Sequence, residues 1–195
     1  MKQVLIIHGG SSFATHEDYI DYFTTQTLDY ERLKYKKGWK SWIAEQLEDS
    51  DVLLPTFPNA ANAEFDEWKI YFEKILPLLH DDVQLVGHSL GAMFLAKYLH
   101  NFPLAHPMRR LILIAGRYSD VPYDVGSFEL KDTSNLSASV DEVHLFHSQD
   151  DQVVPFEDIH KFAADMPNAI LHTFDNRGHF NDDTFPELLD LLKQK

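Results

Sequence analysis

The sequence predicts an α/β fold, doubly wound on a six-stranded, mostly parallel sheet. Six short apolar runs are spread along the 195 residues, each bounded by turn or acidic residues. Segments with apolar residues three and four positions apart lie between them. The runs are almost continuously apolar, as strands covered on both faces are. Strands alternating with helices put helices on both sides of one parallel sheet. At this length a single domain over residues 1–195 is expected, able to bury roughly 70% of its unfolded surface without staples.

The first run, Val4 to Ile7, ends at Gly9-Gly10 and reads as a buried strand. A secretory signal needs about 7 to 15 apolar residues and a membrane span about 20. No stretch is that long, so a cytoplasmic protein without a membrane partner is expected. Residues 14–38 interrupt the alternation: Tyr19, Tyr22, Phe23, Tyr30 and Tyr35 stand among charges and run into Lys34, Lys36 and Lys37. This insertion reads either as one extra amphipathic surface helix or as a cap over a pocket. The second strand is Val52 to Leu54. Phe65, Trp68, Phe72, Ile75 and Leu76 then stack at helical spacing until Pro77 ends the helix. Strand Val83 to Val86 leads into a helix over Ala92 to His100.

Strand Leu111 to Ala115 opens a long loop over 116–140, with Pro122, Gly126 and a Ser/Thr/Asn-rich end. Loops of that length in compact domains are usually functional or disordered. Strand Val143 to Phe146 precedes a helix carrying Phe156, Ile159, Phe162 and Ala163. Pro155 opens it, and Glu157 and Asp158 in its first turn suit the positive end of the dipole. Strand Ala169 to Phe174 precedes the last helix, from Thr184 with Pro186 in its first turn. It stacks Phe185, Leu188, Leu189 and Leu192, with Lys193 and Lys195 at its negative end.

Composition removes several functions. There is no cysteine, which excludes a disulfide scaffold, thiolate zinc and a cysteine nucleophile. The formal charge of -14 argues against nucleic acid as a partner, since such affinity comes from Lys and Arg. No glycine-rich phosphate motif is present, and no cofactor is expected. A metal is not expected either. His144 and His147 are three apart on a strand and point to opposite faces, and Asn181-Asp182-Asp183 reads as the polar lead-in to the last helix.

One segment carries chemistry. Gly87-His88-Ser89-Leu90-Gly91 is a G-x-S-x-G placed between a strand and a helix, where a sharp turn projects the serine while small flanks let strand and helix approach. Ser89 is the candidate nucleophile and the Leu90 N–H one oxyanion donor; the alternative is a tight turn with an idle serine. A serine hydroxyl needs a base, and the base an orienting carboxylate. Both follow in the chain. Asp150-Asp151 lies after the fifth strand, and His179, in Gly178-His179-Phe180, after the sixth. In a parallel sheet these loops share the carboxyl edge with Ser89. Either aspartate could serve.

These pieces resemble the small, lid-poor serine hydrolases of the YdeN and retinoblastoma-binding serine hydrolase family, within the α/β-hydrolase superfamily. The resemblance covers the chain outside 14–38. It implies a reduced fold without the superfamily's first two strands or a large lid, and a helix over Trp39 to Leu47. It favours Asp151, because the superfamily's acid is followed by one residue and then Val-Val-Pro, as in Asp151-Gln152-Val153-Val154-Pro155. It makes the His8-Gly9-Gly10-Ser11 loop the source of a second oxyanion donor, Gly10 first and Ser11 in reserve. Without that role the loop is simply a flexible exit from the sheet.

The expected activity is hydrolysis of a small carboxylic ester through an acyl-enzyme on Ser89, with His179 and Asp151 completing the triad. The same triad on a peptide, thioester or carbon–carbon bond, or a protein-binding module with an incidental triad, are the alternatives. A homodimer is possible. Asp150, Asp151, Asp182 and Asp183, all placed near the active edge, would disfavour anionic substrates.

Overall fold

The computed structural model describes residues 2–104, 108–138 and 140–194. Six strands form one sheet: β1 (Lys2–Ile7), β2 (Ser50–Leu53), β3 (Gln84–His88), β4 (Met108–Ile114), β5 (Val140–Ser148) and β6 (Ile170–Phe174). Their order is β2-β1-β3-β4-β5-β6, and every pairing is parallel. Side chains alternate between the faces as the pleat requires. Leu5, Ile7, Leu85, Leu111 and Leu113 join one apolar cluster, and Val4, Ile6, Val86, Ile112 and Ile114 the other. The chain crosses from β2 over β1 to β3, so the direction of winding switches between β1 and β3. Ligands of open parallel sheets bind at such a crevice, outside the carboxyl ends of the strands.

Helices cover both faces. Against the first cluster pack α4 (Phe65–Ile75), α5 (Leu90–Asn101) and α7 (Asp158–Asp165); against the second, α3 (Trp39–Gln46) and α8 (Pro186–Lys193). All but three residues of α5 are buried, so its sequence is apolar nearly all round. The helix α7 begins at Asp158, three residues beyond Pro155, with Glu157 at its N-cap, and Asp158 is buried, accepting from the Tyr118 N–H at 3.0 Å and from Lys161 at 2.7 Å. The last helix starts at Pro186, two residues beyond the predicted start, and Lys195 lies outside the described residues.

The two irregular stretches hold more structure than their sequences announced. Residues 14–38 form two helices, α1 (His16–Thr25) and α2 (Tyr30–Leu33), where one was expected. Thr15 and Asp29 cap them, each accepting a first-turn N–H. In the stretch 116–140, Pro122 opens a short α6 (Pro122–Val125), followed by single turns over Gly126–Phe128 and Ser134–Ala138. No helix among the described residues is long and apolar enough to cross a membrane.

Candidate active site

Ser89 lies between β3 and α5 with φ 55 and ψ -120, a backbone state that costs a non-glycine residue about 1–3 kcal/mol. Its surroundings hold it there. The Ser89 N–H donates to the Ile114 carbonyl at 2.8 Å, extending the β3–β4 ladder by one rung. A Cβ on Gly87 would fall 2.5 Å from the Gly91 carbonyl oxygen, and one on Gly91 would fall 2.6 Å from the carbonyl oxygens of Ile7 and His8. Both glycines are therefore required by backbone contact. Gly9 packs directly under the serine, where an added Cβ would meet Ser89 Cβ at 3.0 Å.

The loops after β5 and β6 bring Asp151 and His179 to this turn. His179 Nδ1 is 2.8 Å from Asp151 Oδ2, and His179 Nε2 is 2.9 Å from Ser89 Oγ. A carboxylate only accepts, so Nδ1 carries the proton and Nε2 accepts from the serine hydroxyl. The Asp151 side chain is fully buried. Burial alone would push its carboxyl up, but hydrogen bonds from the His179 ring and the Val154 and Val153 N–H groups hold it below the usual carboxylate range. His147 Nε2 is 3.6 Å from the same carboxylate, and burial lowers its imidazole.

Asp150 does something else: its Oδ1 accepts from Ser148 Oγ at 2.6 Å and from the Gly178 N–H at 2.8 Å. Ser148 Oγ in turn accepts from the Arg177 N–H at 2.9 Å. The loop that carries His179 is thus pinned at two successive amides. Asp182 lies away from the cleft, paired with Arg177 at 3.3 Å. His144 and His147 do point apart, His144 toward His172 at 2.8 Å, and no metal-binding cluster exists among the described residues.

Ser89 opens on a cleft of about 390 Å³. Gly10, Ser11 and Leu90 line it beside the serine. Met93, Val125, Val153 and Val154 form an apolar wall, and Arg117 stands at the margin. Phe13 and Tyr22 close one side, their rings tilted against each other at 5.3 Å. The insertion therefore caps in part: Tyr22 of α1 reaches the cleft, while Phe23, Tyr30 and Tyr35 face outward. Asp150, Asp151, Asp182 and Asp183 are not among the described residues that line the cleft. At the loop after β1, the Ser11 N–H is donated to the Ala60 carbonyl at 2.8 Å. The Leu90 N–H, at the first position of α5, precedes any intrahelical partner.

Three contributors escaped sequence reading. His8 accepts from the Phe57 N–H at 2.8 Å and turns its other ring nitrogen to its neighbour's carbonyl, Gly9 O, at 2.6 Å. His88 and Lys40 sit behind His179. His88 was legible only as the variable residue of G-x-S-x-G, and Lys40 only as one cation on a surface helix.

Sheet order, serine turn and carboxyl-edge loops together make this an α/β-hydrolase fold. The model of the serine hydrolase family matches residues 33–193, and the chain belongs to that family. It is 26% identical to YdeN of Bacillus subtilis (strain 168) over 206 aligned positions, covering 98% of this chain and 94% of YdeN. It is 28% identical to the serine hydrolase RBBP9 of Rattus norvegicus over 166, covering 80% and 85%. The crystal structure of the B. subtilis ydeN gene product superposes with a TM-score of 0.78 at 23% identity, covering 98% of this chain and 97% of that one.

Proposed function

We propose that this serine hydrolase cleaves small carboxylic esters through an acyl-enzyme on Ser89. The observation that carries the reading is the unbroken chain from Ser89 Oγ to His179 (2.9 Å) to Asp151 (2.8 Å) at a strained turn facing a cleft. His179 Nε2 takes the serine proton as Oγ attacks the ester carbonyl, and returns it to the leaving alkoxide. Asp151 keeps the imidazole in the Nδ1–H tautomer and stabilises it when charged. The Leu90 and Gly10 N–H groups receive the oxyanion. Gly10 is preferred to Ser11 because the Ser11 N–H is already donated to Ala60. Water, activated by the same histidine, then releases the acid.

The apolar wall suits a neutral aliphatic or aromatic acyl group of modest size. Neither metal nor cofactor enters the scheme, and the cytoplasm is the proposed location. A panel of p-nitrophenyl esters, thioesters and anilides tests the bond type, and a fluorophosphonate probe tests the nucleophile. Ester turnover with probe labelling at Ser89 is expected, and Ser89→Ala should lose about 10⁴- to 10⁶-fold in kcat while unfolding at the same temperature. Retention of most ester hydrolysis by Ser89→Ala overturns the assignment. A folded protein that neither labels nor turns over any acyl substrate would instead be a binding module.

A further inference from the structure

Behind the His179 loop, on the side away from the cleft, a second polar chain ends on the backbone of His179 itself. Phe180, the next residue, has φ 51, a strained state for a bulky side chain. Two contacts clamp this stretch. The Trp39 indole N–H donates to the Phe180 carbonyl at 2.8 Å, and His88 Nε2 lies 2.9 Å from the His179 carbonyl oxygen. His88 is buried, with Trp39 edge-on to its ring at 5.8 Å. Its Nδ1 is 3.2 Å from Lys40 Nζ, which rests 4.4 Å over the Trp39 ring.

Hydrogen-bond chemistry assigns the protons. A carbonyl oxygen only accepts, so His88 Nε2 must carry a hydrogen. Burial and the neighbouring Lys40 cation hold the His88 imidazole well below its usual range, so the ring is neutral and Nδ1 is a lone-pair acceptor. An ammonium offers three donors and no acceptor. Lys40, while protonated, is therefore compatible with one tautomer of His88 only, the one that holds His179.

We propose that Lys40 and His88 are positioning residues for His179: the Lys40 ammonium fixes His88 as the Nε2–H tautomer, and that N–H holds the His179 carbonyl so that the ring stays aligned between Asp151 and Ser89. The inference rests on His179 being the base of Ser89. It adds a pH dependence. Burial brings the Lys40 amine down to about 8. Below that pH the cation enforces the tautomer. Above it the neutral amine can accept as well as donate, the Nδ1–H tautomer becomes accessible, and a lone pair then faces the His179 carbonyl. The charged and titratable groups acting on His88 are Lys40 of α3, His179 of the loop after β6 and Asp151 of the loop after β5.

The test combines imidazole ¹⁵N spectra of the full chain with kcat and KM for an ester from pH about 6 to about 10. Wild type should show His88 protonated at Nε2 at neutral pH, and kcat should fall through an alkaline step near 8. Lys40→Met should mix the two tautomers, lower kcat about tenfold with KM unchanged, and lose that step. Lys40→Arg, protonated throughout, should keep the tautomer and move the step upward out of range. A wild-type His88 protonated at Nδ1 overturns the proposal, as does a Lys40→Met enzyme with the parent's kcat and pH profile. If Lys40→Met does not fold, an alkaline step left unmoved in Lys40→Arg overturns it equally. Fluorophosphonate labelling separates the two levels. A wild type labelled at Ser89 but insensitive at Lys40 removes the positioning role alone, whereas no labelling at Ser89 removes the underlying assignment as well.

Discussion

Two adjacent carboxylates, Asp150 and Asp151, have one residue type and opposite duties. Asp151 is fully buried, accepts two backbone N–H groups on Oδ1 and presents Oδ2 to His179. Asp150 reaches across to Gly178 and anchors the loop from outside. Under the proposed mechanism the two losses differ in kind. Asp151→Asn removes the acceptor that selects the His179 tautomer and should lower kcat by about 10⁴-fold with KM little changed. Asp150→Ala releases the Gly178 amide and loosens the ring's placement, which should cost about 10- to 100-fold in kcat. Steady-state kinetics on both variants decides the matter, and equal losses would contradict the division. From the residues alone both aspartates remained open, since each lies at the same strand end. Only the resemblance to the Asp-x-Val-Val-Pro turn favoured Asp151, and the reason lies in the Val153 and Val154 amides that the turn aims at its carboxylate.

At the scale of elements, the β3–turn–α5 unit was the most legible part of the chain, because its demands are local and steric. Gly91 faces the end of β1, where an added Cβ would stand 2.6 Å from the carbonyl oxygens of Ile7, the last residue of the paired strand, and of His8 just beyond it. Gly91→Ala should therefore lose about 3 kcal/mol or more of stability, since both contacts are with backbone and Ile7 cannot yield without disturbing the β1–β3 pairing. Gly38→Ala, where an added Cβ meets nothing within 4 Å, should cost no more than about 1 kcal/mol, the value of a weaker N-cap. Denaturant titrations measure both, and similar midpoints would refute the argument. The insertion was the least legible element. Its aromatic pattern fits a surface helix and a cap equally well, and both descriptions hold in part: α1 turns Tyr22 to the cleft and Phe23 outward. Which side chain faces the cleft depends on the entry angle fixed by Phe13 packing on Tyr19 and Tyr22, a tertiary contact that periodicity does not encode.

Over the whole molecule the sheet was readable because its central strands β1, β3, β4 and β5 are largely buried on both faces and so appear as short apolar runs, while the edge strands β2 and β6 are apolar in sequence though partly exposed. The polar network behind His179 was not, since Trp39, Lys40 and His88 meet His179 and Phe180 only after folding. That network also bears on global stability. The net charge of -14 and isoelectric point near 5.0 suggest that acid should relieve self-repulsion and stabilise the fold. Buried imidazoles act in the opposite direction. His88, His144, His147 and His172 are all lowered by burial, His172 to about 4. Their folded values lie below that of an unfolded imidazole, near 6.5, so the unfolded chain binds more protons as pH falls. Their contribution is present above about 6.5 and is lost on the way down, by at most about 1.4 kcal/mol per pH unit for each ring and less for half-buried His172. Surface repulsion, by contrast, is screened beyond about 8 Å at physiological salt. The imidazoles should win. At about 0.15 M salt the Tm should fall steadily from pH about 7.5 to about 5.5, placing maximum stability well above the isoelectric point. Calorimetric scans across that range measure it, and a Tm that peaks near pH 5.0 would show that charge relief outweighs the buried rings.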